Sequence, residues 1–156
     1  MDFDLSQAGT TAIRLALALL VGALLGVNRD LHRKPAGMRT LALVSMGSAA
    51  LVLVELDIGG GAEAVSRVLQ GIVVGVGFLG AGVIIHHEPE RRVEGLTTAA
   101  STWVAATLGA ACGAGEGAVA LLATAFTMSI LVFGGHAERA LEKRFANRSE
   151  GSPPRQ

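Results

Sequence analysis

Five stretches of this chain are nearly free of charge and approach the roughly 20 apolar residues that a helix needs to cross a hydrocarbon core: residues 12–27, 41–56, 65–85, 96–113 and 118–135. Polar residues collect in the short gaps between these stretches. A soluble α/β core would instead need amphipathic periodicity within them. The pattern therefore predicts an all-α, polytopic membrane bundle of five transmembrane helices, at about 12–27, 38–56, 65–86, 96–113 and 117–135. Residues 1–135 would form the transmembrane domain. Residues 136–148 can form a basic, amphipathic juxtamembrane helix that favours anionic headgroups, with 149–156, which include Pro153 and Pro154, as a disordered tail.

Composition agrees: 51% of the 156 residues are hydrophobic, 21 are Gly, and Tyr is absent. The net charge of zero conceals segregation. Arg29, Arg33, Lys34 and Arg39 follow the first run, Arg91 and Arg92 follow the third, and Arg139, Lys143, Arg144, Arg148 and Arg155 follow the fifth. With five crossings these regions share one face and hold all but two of the Lys and Arg residues, so that face is expected to be cytoplasmic. Glu55, Asp57, Glu63 and Glu116 lie on the other side, which puts the N-terminus outside and the C-terminus inside. Asp2 and Asp4 stand where a secretory signal would be basic, so the first helix is expected to be retained. The single cysteine, Cys112, excludes an intramolecular disulfide and reads as a small packed side chain.

Two stretches suggest an internal repeat, the alternative being that runs of small apolar residues align with anything. Arg14, then Gly22, a basic loop and Gly37-Met38-Arg39-Thr40 parallel Arg67, then Gly75, a basic loop and Gly95-Leu96-Thr97-Thr98. Two hairpins that both begin outside would be a parallel duplication, with the last helix peripheral. Small residues set the packing, because lipid gives helices no hydrophobic reason to associate. Thr97, Ser101, Ala105, Gly109 and Gly113 form a smooth ridge, and Gly22/Gly26 and Gly71/Gly75 are GxxxG pairs. These patterns do not decide between contacts within one chain and contacts in a homo-oligomer.

Several residues invite chemistry. Gly75, Gly77 and Gly80 match the dinucleotide fingerprint but lack its strand–turn–helix context, so close packing with a local break at Gly80 to Gly82 is expected, and no cofactor. Arg14 and Arg67 lie inside apolar runs near their outer ends. Such charges snorkel or pair, here with Glu55, Asp57, Glu63, Asp2 or Asp4. Arg39 beside Asn28-Arg29-Asp30 suggests either a salt-bridged cluster or plain topogenic charge. His86-His87-Glu88 has no ligand spacing that fixes a metal, and His32 and His136 stand alone, so no metal site is expected. The central layer holds no carboxylate for a Mg²⁺ path. Trp103 is too deep for an interfacial belt and is expected to pack in the core. No nucleophile and base stand out, so no catalytic residue is assigned and no nucleic-acid partner is expected.

The strings Leu24-Leu25-Gly26-Val27-Asn28-Arg29-Asp30, Ala36-Gly37-Met38-Arg39-Thr40, Gly75 to Ile84 with Gly77, Gly80 and Gly82, and Gly95 to Trp103 with Thr97 and Thr98, in that order, resemble the MgtC/SapB family. The resemblance covers about residues 13–115. It implies a non-enzymatic bacterial inner-membrane protein tied to magnesium homeostasis, acid stress and survival inside host macrophages. Such a protein would regulate other membrane proteins, including the proton-translocating ATP synthase. The alternative is a small channel or transporter for magnesium, protons or another ion. Asn28 stands where relatives commonly carry Glu. Thr97 and Val104 replace Asn and Cys of some members, and the C-terminal ACT-like domain of longer members is not expected here.

Overall fold

A segment in hydrocarbon must satisfy its own backbone hydrogen bonds, and the apolar runs accordingly wind into helices. The computed structural model describes the backbone of residues 5–87 and 92–149 and the side chains of 6–84 and 94–135. Helix α1 spans Leu5–Leu31, α2 Met38–Asp57 and α3 Ala62–Gly82. A short antiparallel hairpin follows, β1 Ile85–His87 with β2 Arg92–Glu94, then α4 Leu96–Ala114 and α5 Gly117–Ser149. The connection after α3, read from its charge as a plain loop, is thus partly a hairpin in which His86 faces Val93.

Among the described residues, four helical segments are long and apolar enough to cross a membrane: Ser6–Leu31, Met38–Asp57, Ala62–Gly82 and Gly117–Gly135. Helix α4 falls outside that group because Thr97, Thr98, Ser101, Thr102 and Thr107 dilute its apolar character. Its position explains why it tolerates them. It packs against α1, α2, α3 and α5, so its surface meets protein more than lipid. The hydroxyls are satisfied locally: Ser101 donates to the Thr97 carbonyl at 2.7 Å and Thr102 to the Thr98 carbonyl at 2.9 Å.

The small-residue ridge is what brings α4 so close to α2. A Cβ built on Gly109 would sit 1.9 Å from the Ser45 carbonyl oxygen, and one on Gly113 would sit 2.5 Å from that of Ala49. Backbone cannot yield as a flexible side chain can, so both positions exclude even a methyl group. Gly22 and Gly26 do the same for α1 against α2, where a Cβ would meet the Leu41 carbonyl oxygen at 2.4 Å and the Met38 Cα at 2.3 Å. Ser45 adds a hydrogen bond from its hydroxyl to the Ala18 carbonyl, 2.7 Å, inside this seam. Ala18, Val21, Leu25, Leu41, Ala49, Ala105 and Cys112 fill the core around it.

Helix α3 is different. It packs on α4 and less extensively on α2, burying only Ile72, Val76 and Gly80. Cβ atoms built on Gly71, Gly75, Gly77 or Gly82 would meet nothing within 4 Å. The helix continues through Gly80 and Ala81 and ends at Gly82, with Val83 as its C-cap. The expected break at Gly80 to Gly82 thus coincides with the end of the helix instead of interrupting one that runs on to residue 86. Trp103 also departs from its core assignment. It is 46% exposed and lines a shallow apolar groove with Val76, Gly77, Gly80 and Ala99, because α3 leaves that face of α4 partly open.

Helix α5 packs along α1 and α4, and its segment Gly117–Gly135 is mostly exposed. It continues without a break to Ser149, so the start assigned to the disordered tail is still helical. Residues 150–156, and the side chains of the basic segment 136–149, lie outside the described residues.

Candidate functional site at the Arg29 end of the bundle

The motifs that stand apart in the sequence meet where α1 ends and α2 and α4 begin. Asp30 reaches from the end of α1 to the start of α2, where its Oδ2 accepts a hydrogen bond from the Met38 N–H at 2.9 Å. That N–H is one of the donors a helix start leaves unsatisfied, and Gly37, the N-cap, has no side chain to satisfy it. A Cβ on Gly37 would lie 1.7 Å from Asp30 Oδ1, so the carboxylate occupies the space that glycine vacates. The strings Asn28-Arg29-Asp30 and Gly37-Met38 are therefore two halves of one capped turn. The turn also holds Arg33 and Ala36 at positive φ, 52° and 56°.

Arg29 faces the other way, into the bundle. It is only 5% exposed, and its Nη2 donates to the Thr98 hydroxyl in the first turn of α4. Asn28 beside it is 8% exposed, and its carbonyl is in contact with His32 Nδ1 at 2.7 Å. Arg39 and Thr40, on the first turn of α2, are exposed and do not join this cluster, and Thr97 is exposed as well. Gly95 precedes α4 in the left-handed region, φ 94°, and a Cβ there would be 2.0 Å from the Val83 carbonyl oxygen. Only glycine fits both demands, which fixes the hairpin against the start of α4.

At the opposite end of the bundle Arg14 does the complementary thing. Its Nη1 donates to the Gly113 carbonyl at 3.0 Å, at the C-terminus of α4, where cations meet the negative end of the helix dipole. The acidic partners expected for Arg14 are replaced by this carbonyl, because α1 runs antiparallel to α4 and brings Arg14 level with its last turn. Arg67 instead pairs with Glu63 one turn away, 2.7 Å, on an exposed surface. The two arginines that would correspond under the expected internal repeat thus make unlike contacts. Asp2 and Asp4, also weighed as partners, lie outside the described residues.

Among the described residues no three His, Cys, Asp or Glu side chains are grouped as metal ligands. Glu88, and the side chains of His86, His87 and His136, lie outside the described residues. Sequence reasoning assigned Arg29 to the cytoplasmic charge cluster and Thr98 to a separate motif. No local signal joins two residues that are 69 positions apart.

Comparison with known proteins places these motifs in a group. The family model described as the MgtC family matches residues 15–140. The chain is 47% identical to protein SrpB of Synechococcus elongatus over 131 residues, covering 77% of this chain and 72% of that protein. It is 41% identical to protein MgtC of Brucella abortus over 120 residues, 77% of this chain and 49% of the relative. Against protein MgtC of Salmonella typhimurium the identity is also 41%, over 112 residues, 72% of this chain and 47% of the relative. The chain thus spans about half the length of the MgtC relatives it matches. No solved structure matches it significantly.

Proposed function

This chain belongs to the MgtC family and is a multi-pass membrane protein, and on that premise we propose that it acts without catalysis, as a regulator of other proteins in a bacterial inner membrane. The setting, magnesium limitation, acid stress or survival inside host cells, is taken from the family resemblance. The mode of action is taken from α3. One glycine pair of the bundle, Gly22/Gly26, is consumed by contact with α2, whereas Gly71/Gly75 has no neighbour within 4 Å of either Cβ position. Phe78 and Val74 stand 82% and 75% exposed on the same helix. A small-residue groove flanked by large side chains is the surface on which membrane helices associate, and a partner helix is its proposed occupant. The buried hydroxyls of Ser45, Ser48, Ser101, Thr102 and Thr124 all donate to backbone carbonyls, and the reading assigns none of them a chemical step.

The proposed orientation is N-terminus outside and C-terminus cytoplasmic. Reporters fused after Gly60 should then read outside, and those after Arg92 and Arg148 inside. To test partner binding, photo-crosslinkers are placed at Val74 and Phe78 in living cells and the adducts identified after mild-detergent purification. Adducts with another membrane protein, the proton-translocating ATP synthase among the candidates, support the reading. Recovery of this chain alone, together with unchanged ATP synthesis in a deletion strain, sinks it. Flux of protons, Mg²⁺ or anions through reconstituted vesicles would favour a small channel or transporter instead.

A further inference from the structure

A buried cation without a counter-charge is costly in any protein and more so in one that spans a membrane. Arg29 is such a cation: it is 5% exposed, and no carboxylate among the described residues forms an ion pair with it. Asp30, its neighbour in sequence, spends its carboxylate on the start of α2. The hydrogen-bond count sharpens the point. The Nε–H of Arg29 is buried and has no partner, while Nη2 donates to Thr98. Nε and Nη2 share one edge of the guanidinium, the edge that makes paired contacts with two oxygens of a carboxylate or phosphate. Only half of that edge is used.

The surroundings add donors, and no carboxylate among the described residues pairs with Arg29. Thr98 lies in the first turn of α4, whose N-cap Gly95 supplies no side-chain cap. The first i→i−4 bond at this end is Ala99 N–H to the Gly95 carbonyl, 2.8 Å, which leaves the N–H groups of Leu96, Thr97 and Thr98 without an intrahelical acceptor. The Thr98 oxygen accepts from Arg29, so its own O–H remains available to donate. The positive end of the α4 dipole therefore points at a guanidinium, an arrangement that repels unless an anion lies between them.

We infer that Arg29, Thr98 and the first turn of α4 bind a phosphate group, held by the Nε edge of the guanidinium, the Thr98 hydroxyl and the free N–H groups of the helix. The group comes either from a lipid headgroup, since the site lies at the end of a spanning helix, or from a free phosphate anion. The experiment uses the full chain purified in a maltoside detergent, which carries no phosphate. Inorganic phosphate is titrated while the melting temperature is followed by Trp103 fluorescence, with chloride at matched ionic strength as control. In parallel, retention of phosphatidylglycerol is read by native mass spectrometry. A saturable rise in melting temperature with phosphate identifies the free anion as the source; retained lipid identifies the headgroup. Either result supports the site provided it is lost in Arg29→Gln and weakened about tenfold or more in Thr98→Val, the loss expected for one hydrogen bond to a charged group. Should Arg29→Gln fail to fold, Arg29→Lys keeps the charge and removes the Nε edge, and it should bind about tenfold or more weakly. Wild-type protein that responds to neither probe, or Arg29→Lys that binds as tightly as wild type, overturns the inference.

Discussion

Gly109 and Gly75 are the same residue in helices of the same bundle, yet their surroundings demand opposite outcomes on substitution. Gly109→Ala drives a methyl group into the Ser45 carbonyl of α2, so the helices must separate, and a loss of about 1–3 kcal/mol is expected from overpacking of this kind. Gly75→Ala meets open space and should stay within about 0.5 kcal/mol of wild type. Thermal unfolding of the two variants in one detergent compares them directly, and equal melting temperatures would contradict the packing described above. The arginines form a second contrast. Arg14→Gln removes a part-buried charged hydrogen bond to the Gly113 carbonyl and is expected to cost about 1.5–3 kcal/mol. Arg67→Gln breaks an exposed i,i+4 pair and should cost about 0.5 kcal/mol or less. The sequence marks both arginines as intramembrane charges, but the partner of Arg14 is a backbone carbonyl, and a carbonyl has no side-chain identity to read.

At the level of elements, α2 and α4 form the tight centre, joined through Gly109 and Gly113, while α3 and α5 lie outside it. Local opening follows local packing, so amide hydrogens of α3 should exchange faster than those of α4 in the same detergent. Hydrogen-exchange mass spectrometry that found α3 as protected as α4 would argue that a second molecule covers it. The existence of the helices was legible because an uncharged run in lipid has few alternatives to a helix. Their ranking was not. Helix α4 is not among the described helices long and apolar enough to cross a membrane, and its burial becomes clear only once its threonines and glycines are seen against α2. The hairpin at Ile85–His87 and Arg92–Glu94 was also hidden. Its strands are three residues each, too short for an alternating pattern to register.

For the molecule as a whole, the candidate site was half legible: Asn28-Arg29-Asp30 and Thr97-Thr98 draw attention as strings, but their meeting depends on the antiparallel register of α1 and α4. That register is fixed at both ends. Arg14 holds Gly113 and Arg29 holds Thr98, so the two arginines and their two acceptors are each fifteen positions apart. At 1.5 Å per residue this makes a spacer of about 22 Å, shorter than the roughly 30 Å hydrocarbon layer. A spacer pinned at both ends has a fixed length, and tilting only shortens its span, so adjustment to a thicker bilayer is expected in the elements without such ties, α3 and α5. Moving the protein from short-chain to long-chain lipids is therefore expected to change exchange rates in α3 and α5 and to leave α1 and α4 unaltered. The two clamps thereby give the protein a rigid gauge on one side and a compliant flank on the other, and the compliant flank is where an adjustment to membrane thickness is expected.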